Sequence, residues 1–195
     1  MCVSIPVLFL DTAPSVDTHH VVFDPQMGSQ LGVNYLVQLG HQQIALLTGP
    51  LSSVSARLRF EGWQASLAEH QLAPVAVLHG DWRSLSGSQN ISRLLNDGVI
   101  PTAILVANDQ MALGALRALS ESGLPVPGAV SVVGYDDTED SACFTPPLTT
   151  IKQDFKALGK VSVDRLLSLI EGDASVSELL PVSIVERKTT DKPHA

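Results

Sequence analysis

Cysteine is scarce in this sequence, which has only Cys2 and Cys143 among its 195 residues. Two thiols are too few for a disulfide framework or for a zinc site built from cysteine ligands. We therefore expect both cysteines to be reduced thiols in a cytoplasmic protein that has no metal centre.

Positive charge is also scarce, because 12 lysines and arginines stand against 20 aspartates and glutamates, for a formal net charge of −8. No basic patch is visible, so we do not expect the chain to bind DNA or an anionic membrane by itself. Long hydrophobic runs are lacking too. The N-terminal MCVSIPVLFLD has no basic segment, and its apolar run ends at Asp11 after about seven residues. This pattern predicts a buried strand rather than a signal peptide or a membrane span.

What the chain does contain is an alternation of short apolar runs with helical stretches, which is typical of a parallel α/β sheet. An apolar content of 45% with 16% charged residues indicates a folded protein, and the length suffices for one large domain or two small lobes. The predicted strands are 6–10, 43–48, 75–79, 102–107, 130–135 and 179–190, with an extended crossover at 148–153. The predicted helices begin after Asp24, after residues 52–55, near Leu85, at Asp109 and at Phe155.

Polar and aromatic side chains follow the ends of these strands. Taken strand by strand, they are Asp11, the segment 52–59, Trp82, Asn108, and the pair Asp136 and Asp137. In open parallel sheets, ligands bind beyond the carboxyl ends of the strands. Carboxylates, an amide and a guanidinium suit the hydroxyls of a sugar, and an indole gives the apolar face of a pyranose a flat surface. The sequence therefore predicts a sugar site at this edge.

Two arginines near the start of the second helix differ in their local partners. Arg57 and Arg59 are two residues apart, about 200° around a helix, so they cannot share a face. Arg57 has Glu61 four residues later, a spacing that lets the side chains pair. Arg59 has no acidic residue three or four positions away on either side. We expect Arg59 to face the crevice and to donate to ligand oxygens.

Each of these residues also has a plainer interpretation. Asp11 and Asp136 are then ordinary polar strand ends, and Asn108 is only a helix cap. Trp82 is then part of the core, and Arg59 is a solvated surface residue. Sequence alone leaves both interpretations open for each residue, and their shared position at one sheet edge favours the site.

Enzymes are a further alternative. Two acidic residues would suit a glycosidase, and the segment FLDT would suit a phosphohydrolase nucleophile. The phosphohydrolase requires a second aspartate two residues after Asp11, where Ala13 stands. No glycine-rich phosphate loop, nucleophile elbow or metal-spaced histidine pair is present. The adjacent His19 and His20 are expected at the surface, because neighbours in an extended segment point apart.

Several motifs, in order along the chain, carry a resemblance to a known family. They are GPLSSVSARLR, PTAILVANDQMALGA, SVVGYDDTED, PPLTTIKQDF, SVDRLL and LLPVS. With these motifs the sequence resembles the lactose/galactose repressor family from Val7 to Thr190. The resemblance implies a periplasmic-binding-protein-like core with two parallel-sheet α/β lobes and crossover strands. Such a core closes on an inducer sugar, a galactoside in this case, and allosterically controls operator binding.

The resemblance also implies specific contacts and partners. The inducer contacts carried over by motif are Asp11, Phe23, Ser55, Arg59, Trp82, Asn108, Asp136 and Phe155, of which Phe23, Ser55 and Phe155 come only from the family. A homodimer is implied through the C-terminal lobe, with contacts that include Leu113, Cys143 and Phe144. No cofactor is implied.

The sequence departs from the family pattern at both ends. We find no helix-turn-helix headpiece, no hinge helix, no first half of the N-terminal lobe, and no tetramerisation helix after Lys192. We therefore expect a fragment or a truncated gene product in which operator DNA is reached only through the absent headpiece. The expected units are a truncated first lobe (1–23 and 153–180), a C-terminal lobe (24–152 and 181–190) and a tail (191–195). The alternatives are a free-standing sugar-binding protein of the same fold and a sugar-active hydrolase.

Overall fold

Two β-sheets and five α-helices form the described part of the chain. The computed structural model describes residues 5–14, 18–172 and 177–193. The strands are β1 His20–Phe23, β2 Ile44–Thr48, β3 Ala76–His79, β4 Ala103–Val106, β5 Ser131–Asp136, β6 Thr149–Lys152, β7 Ser177–Leu180 and β8 Ser183–Val185. The α-helices are α1 Pro25–Leu39, α2 Val54–Glu69, α3 Ser84–Asn96, α4 Asp109–Glu121 and α5 Phe155–Glu171, and a 3₁₀ helix covers Glu139–Cys143. No helix in these three ranges is both long and apolar enough to span a membrane.

The larger sheet has the strand order β3-β2-β4-β5-β6-β8. The first five of these strands are mutually parallel, and β8 pairs antiparallel with β6 at the edge. Every residue of β2 and β4 is buried, as expected for interior strands of a sheet that is covered by helices. The predicted α/β class is confirmed, and the parallel strands place their carboxyl ends along one edge.

The first helix shows why the local sequence predictions succeed. The carboxylate of Asp24 accepts the backbone N–H of Met27 at 2.9 Å, which caps a free donor at the helix start. Pro25 occupies the first turn, where no backbone N–H is needed. Gly40 ends the helix in the left-handed region at φ 101°, which glycine adopts without steric cost.

The smaller sheet consists of β1 paired in parallel with β7. Helix α5 packs against it and contributes Leu158 and Leu169 to a small core around Val21 and Leu180. Only two side chains of this small core are buried, so the smaller sheet has a far smaller core than the larger one.

The buried strand predicted at residues 6–10 is wrong. Within this segment only Phe9 forms a bridge, with His20, and Val7, Phe9 and Leu10 are exposed. A strand is stabilised by hydrogen-bonded neighbours along its length. The described residues supply this segment with a neighbour at a single position.

The single strand predicted at 179–190 is also wrong, because it divides between the two sheets. β7 ends at Leu180 beside β1, and β8 begins at Ser183 beside β6. Pro181 stands between them, and proline cannot donate a backbone N–H to a ladder.

The surface position predicted for His20 is wrong as well. The ring is buried at 1% exposure, with Nδ1 2.9 Å from the carbonyl oxygen of Thr18 and Nε2 3.0 Å from Ser177 Oγ. Hydrogen bonds on both ring nitrogens explain how a polar ring is accommodated between β1 and β7.

Two predictions extend outside the described residues. Cys2 lies outside them, whereas Cys143 is a free, exposed thiol. The tail expected at 191–195 is described as far as residue 193.

Candidate ligand-binding site

A cavity of about 370 Å³ lies at the carboxyl ends of the strands. Its wall includes all eight residues of the predicted ligand set, which are Asp11, Phe23, Ser55, Arg59, Trp82, Asn108, Asp136 and Phe155. The segments that follow five strands of the larger sheet therefore meet the smaller sheet and α5 around one concave site. This is the position at which open parallel sheets bind small molecules.

The sequence-based prediction missed other residues of this wall. They are Leu10, Thr12, Val22, Pro25, Leu58, Tyr135, Gln153 and Leu158. Gln153 directly follows β6, so applying the strand-end rule to the crossover would have identified it. Tyr135 lies inside β5, one residue before its end, and no sequence signal marks it.

Arg59 faces the cavity, as expected, but its guanidinium is already bonded within the protein. Nη1 donates to the carbonyl oxygen of Ala107, and Nη2 donates to Asp136 Oδ1 at 3.3 Å and to Gln153 Oε1 at 3.1 Å. The residue is 8% exposed. Arg57, in contrast, is exposed and lies 4.0 Å from Glu61 on the surface, as its spacing predicted.

Aromatic rings flank the same guanidinium. The carbon Cζ of Arg59 lies 3.8 Å from the centroid of the Tyr135 ring and 5.9 Å from that of Trp82. Both distances are within the range of a cation–π interaction, which is stronger where water is excluded. These contacts restrict the orientation of the guanidinium and keep its remaining donors available in a fixed direction.

Asp136 is the buried acid of the site. Burial raises the pKa of its carboxyl to about 6, although the neighbouring Arg59 guanidinium acts in the opposite direction. A largely buried carboxylate that is paired on one oxygen retains acceptor capacity on the other. This is the arrangement required to accept hydrogen bonds from a neutral hydroxylated ligand.

The backbone is strained at two of these positions. Trp82 has φ 75° and Asp136 has φ 113°, in the region that non-glycine residues rarely adopt. Such conformations cost about 1–3 kcal/mol each and concentrate at functional sites. The strain directs both side chains from strand ends into the same cavity wall.

Asn108 serves as a helix cap and also lines the cavity. Its Oδ1 accepts the backbone N–H of Met111 at 2.9 Å, which caps α4. Its Nδ2 donates to the carbonyl oxygen of Trp82 at 3.0 Å. The two interpretations left open by the sequence are therefore compatible, because the cap holds the amide at the edge of the cavity.

The opposite wall comes from the smaller sheet and α5. The rings of Phe23 and Phe155 lie edge to face, with centroids 5.4 Å apart and an interplanar angle of 83°. Asp11 adds a carboxylate from an exposed bend. The cavity thus has a polar wall of Arg59, Asp136 and their neighbours and an apolar wall of aromatic rings.

The donor and acceptor set fits a neutral polyhydroxylated ligand. Arg59 and Asp136 pair with each other, so the cavity has no uncompensated positive charge for a phosphorylated or carboxylated ligand. In the described part of the chain, no three histidine, cysteine, aspartate or glutamate side chains are grouped to hold a metal ion.

A separate groove lies between α4 and the 3₁₀ helix. It contains all three predicted dimer residues, Leu113, Cys143 and Phe144. Leu113 and Cys143 are exposed, whereas Phe144 is 8% exposed and packs into the main core. In an assembly, Phe144 would therefore support the groove more than it would add contact area.

Comparison with known proteins extends this description. A family profile described as a periplasmic binding protein-like domain matches residues 33–190. The chain is 58% identical over 194 residues to the lactose operon repressor of Escherichia coli strain K12, a match that covers 99% of this chain and 54% of that protein. The chain spans about half the length of the curated relatives that it matches.

Solved structures of the Lac repressor also match this chain. A crystal structure of the Lac repressor dimer bound to operator and the anti-inducer ONPF matches with a TM-score of 0.95 and 59% identity, over 97% of this chain and 67% of that one. A crystal structure of the Lac repressor bound to ONPG in the repressed state matches with a TM-score of 0.92 and 59% identity, over 97% of this chain and 58% of that one.

Proposed function

The chain belongs to the lactose/galactose repressor family and has its periplasmic-binding-protein-like fold, and from this membership we propose that it is a ligand-sensing, dimerising repressor core. Its ligand is a galactoside-type sugar, and the bound sugar allosterically controls operator binding. The observation that carries this proposal is the assembly of all eight predicted contact residues around one cavity.

The chemistry of the cavity supports a sugar. Arg59, Gln153, Asn108 and Asp136 offer donors and acceptors at fixed positions, and the rings of Trp82, Phe23 and Phe155 offer apolar surface. A pyranose has hydroxyls around its edge and C–H groups on its faces, so it uses both kinds of wall. ONPG, the ligand named for one of the matched structures, is a galactoside.

The same membership supports the remaining assignments. Relatives are named as repressors, and one matched structure is a dimer bound to operator, so a homodimer formed through the groove at Leu113 and Cys143 is part of the proposal. Repressors act where the DNA is, which implies the cytoplasm. The two proposed units are 1–23 with 153–180 and 24–152 with 181–190. DNA contact by these residues themselves is not proposed, because the net charge is −8.

A free-standing sugar-binding protein of the same fold is the alternative. It would bind the same class of ligand through the same cavity. The difference is in the dimer groove, because a sugar-binding protein that acts alone needs no contact at Leu113 and Cys143. Weakened dimerisation on mutation of the groove, with sugar binding retained, supports the repressor core.

The two tryptophans of the chain provide a direct test. Trp82 lines the cavity, whereas Trp63 is buried in α2 at 1% exposure outside the cavity wall. Their indole N–H signals in a ¹⁵N-labelled sample can be assigned with a Trp82→Phe variant. On titration with ONPG, the signal of Trp82 should shift and that of Trp63 should stay in place.

Two further results complete this test. The o-nitrophenyl glucoside should move the Trp82 signal less than ONPG at the same concentration, because one hydroxyl points in another direction. NMR detects weak binding, so the absence of any Trp82 shift up to the solubility limit of ONPG would refute galactoside binding.

A further inference from the structure

Asp109 is a buried acid that the cavity does not use. It is the first residue of α4, and it is fully buried. In the part of the chain that the structure describes, no lysine, arginine or histidine forms an ion pair with it. Burial raises the pKa of its carboxyl, with hydrogen bonds acting in the opposite direction. Such a group costs free energy unless donors surround it, so its partners are informative.

Those partners are three donors from two directions. Oδ2 accepts the hydroxyl of Ser141 at 2.6 Å and the backbone N–H of Thr138 at 3.0 Å. Oδ1 accepts the hydroxyl of Thr150 at 2.6 Å. The hydroxyl oxygens of Thr138 and Ser141 also lie 2.8 Å apart, so the two loop residues are hydrogen-bonded to each other as well as to Asp109.

The carboxylate lies between two surfaces that have separate proposed roles. Asn108, the preceding residue, lines the sugar cavity, and Asp136 lies two residues before Thr138. Ser141 belongs to the 3₁₀ helix that ends at Cys143, in the groove proposed for dimerisation. Thr150, on β6, is outside the groove lining. One side chain is therefore bonded to the loop that joins the end of β5 to the dimer groove.

We propose that Asp109 is a positioning residue that holds the loop 138–144 against α4 and so sets the shape of the dimer groove. This role rests on the proposed function, because it concerns the dimer of the repressor core. It acts through the Ser141 and Thr138 bonds to Oδ2, whereas the Thr150 bond satisfies the other oxygen, Oδ1, from the side of the sheet.

An amide can replace this carboxylate, because a threonine hydroxyl also accepts hydrogen bonds. In Asp109→Asn, the amide oxygen can accept the Thr138 N–H and the Ser141 hydroxyl while the NH₂ group donates to the Thr150 hydroxyl oxygen. Asp109→Ala removes both oxygens and leaves the buried Thr138 N–H without its acceptor, which favours movement of the loop.

The experiment compares loss of the bonds to the loop with loss of the bond to Thr150. The dimer dissociation constant of the 195-residue chain is measured by analytical ultracentrifugation for Asp109→Ala, Ser141→Ala and Thr150→Val. The exposed Asp97→Ala is the control for loss of one negative charge. Asp109→Ala and Ser141→Ala should weaken the dimer about tenfold, the equivalent of one buried hydrogen bond. Thr150→Val and Asp97→Ala should leave it within about twofold of wild type.

A purely structural role predicts a different pattern. All three buried variants would then unfold more easily, while the folded molecules would dimerise as wild type does, and that result overturns the proposal. If Asp109→Ala does not fold, Ser141→Ala carries the test alone. A wild-type chain that stays monomeric also overturns it. An absent Trp82 shift with ONPG refutes only the sugar function and leaves the dimer measurement valid.

Discussion

The guanidinium carbon of Arg59 lies 3.8 Å from the centroid of the Tyr135 ring. The ring supports one face of the guanidinium, while Asp136 and Gln153 accept hydrogen bonds from Nη2. A free arginine side chain loses about 2 kcal/mol of rotamer entropy when a ligand immobilises it. Here folding has already immobilised the side chain, so a ligand can use the remaining donors of Arg59 without a further loss of rotamer entropy.

The first prediction compares the two arginines of α2. Arg59→Ala should weaken ONPG binding roughly 10- to 150-fold, because it removes a charged donor and leaves Asp136 buried without its partner. Arg57→Ala should change binding much less, since the ion-pair partner of Arg57 among the described residues is the exposed Glu61. The shift of the Trp82 indole signal measures both. Equal losses from the two variants would show that Arg59 has no special role.

The pair of Arg59 and Asp136 also shows the limit of prediction from sequence. Local signals predicted α1 and α4 well, because Asp24, Gly40 and Asn108 act on backbone groups only a few residues away. The partner of Arg59 is 77 residues distant, so no spacing rule identifies it.

Strand-end positions were predictable for a similar reason. Buried apolar runs mark interior parallel strands, and the residue after each run lies at the ligand edge. The smaller sheet was not predictable in this way, because β1 and β7 are edge strands only four residues long that pair across more than 150 positions. Tyr135 was missed because its burial and its contact with Arg59 depend on tertiary packing.

The second prediction concerns pH. Burial raises the pKa of Asp136 from 3.8 to about 6, so the folded protein retains a proton that the unfolded chain releases over this interval. The protonated Asp136 carboxyl therefore contributes to the free energy of unfolding fully below the pKa of the unfolded chain, and this contribution is lost as the pH rises through about 6. Asp136→Asn does not titrate. Its free energy of unfolding relative to wild type should therefore rise between about pH 4 and pH 6.5 and then level off.

Urea denaturation across this interval measures the effect. Taking the difference between variant and wild type cancels the histidines and the other acids, which titrate in both proteins. A difference that stays constant from about pH 4 to pH 6.5 would mean that the pKa of Asp136 is not raised.

The third prediction concerns the close approach of α1 to Tyr135. A Cβ atom at Gly28 would lie 1.9 Å from the Tyr135 hydroxyl oxygen, whereas one at Gly159 in α5 would have no neighbour within 4 Å. Gly28→Ala should therefore lower the free energy of unfolding by about 1–3 kcal/mol through overpacking. Gly159→Ala should leave it unchanged or raise it by up to about 1 kcal/mol, because alanine favours a helix.

Tyr135→Phe in the Gly28→Ala background isolates the cause. Removing the hydroxyl relieves the shortest contact but leaves the ring carbon Cζ at 2.8 Å, so the loss of stability should be recovered only in part. No recovery at all would indicate that Gly28 is required for a reason other than the Tyr135 hydroxyl.

The last prediction concerns the smaller sheet. Among the described residues, nine of the fifteen exposed large hydrophobic side chains belong to it or to the segments around it, namely Ile5, Val7, Phe9, Leu10, Phe155, Val163, Leu167, Ile170 and Leu179. A two-stranded sheet is marginally stable in water, and its open edges favour association. The larger sheet has its own closed core around β2 and β4. In the purified 195-residue chain, amide hydrogen exchange should therefore be fast in residues 5–14, 18–20 and 153–172 and slow at 44–48 and 103–106.

This difference in protection has a consequence for the ligand. The cavity needs Phe23 and Phe155 as its second wall, and a wall that opens lets water compete for Arg59 and Asp136. We therefore expect weak binding of ONPG by this chain, and slower exchange at 153–172 when ONPG is added at high concentration. Hydrogen exchange followed by mass spectrometry reports both effects on the same peptides. Uniform protection of both sheets without ligand, together with tight galactoside binding, would show that the smaller sheet is stable by itself and that this prediction is wrong.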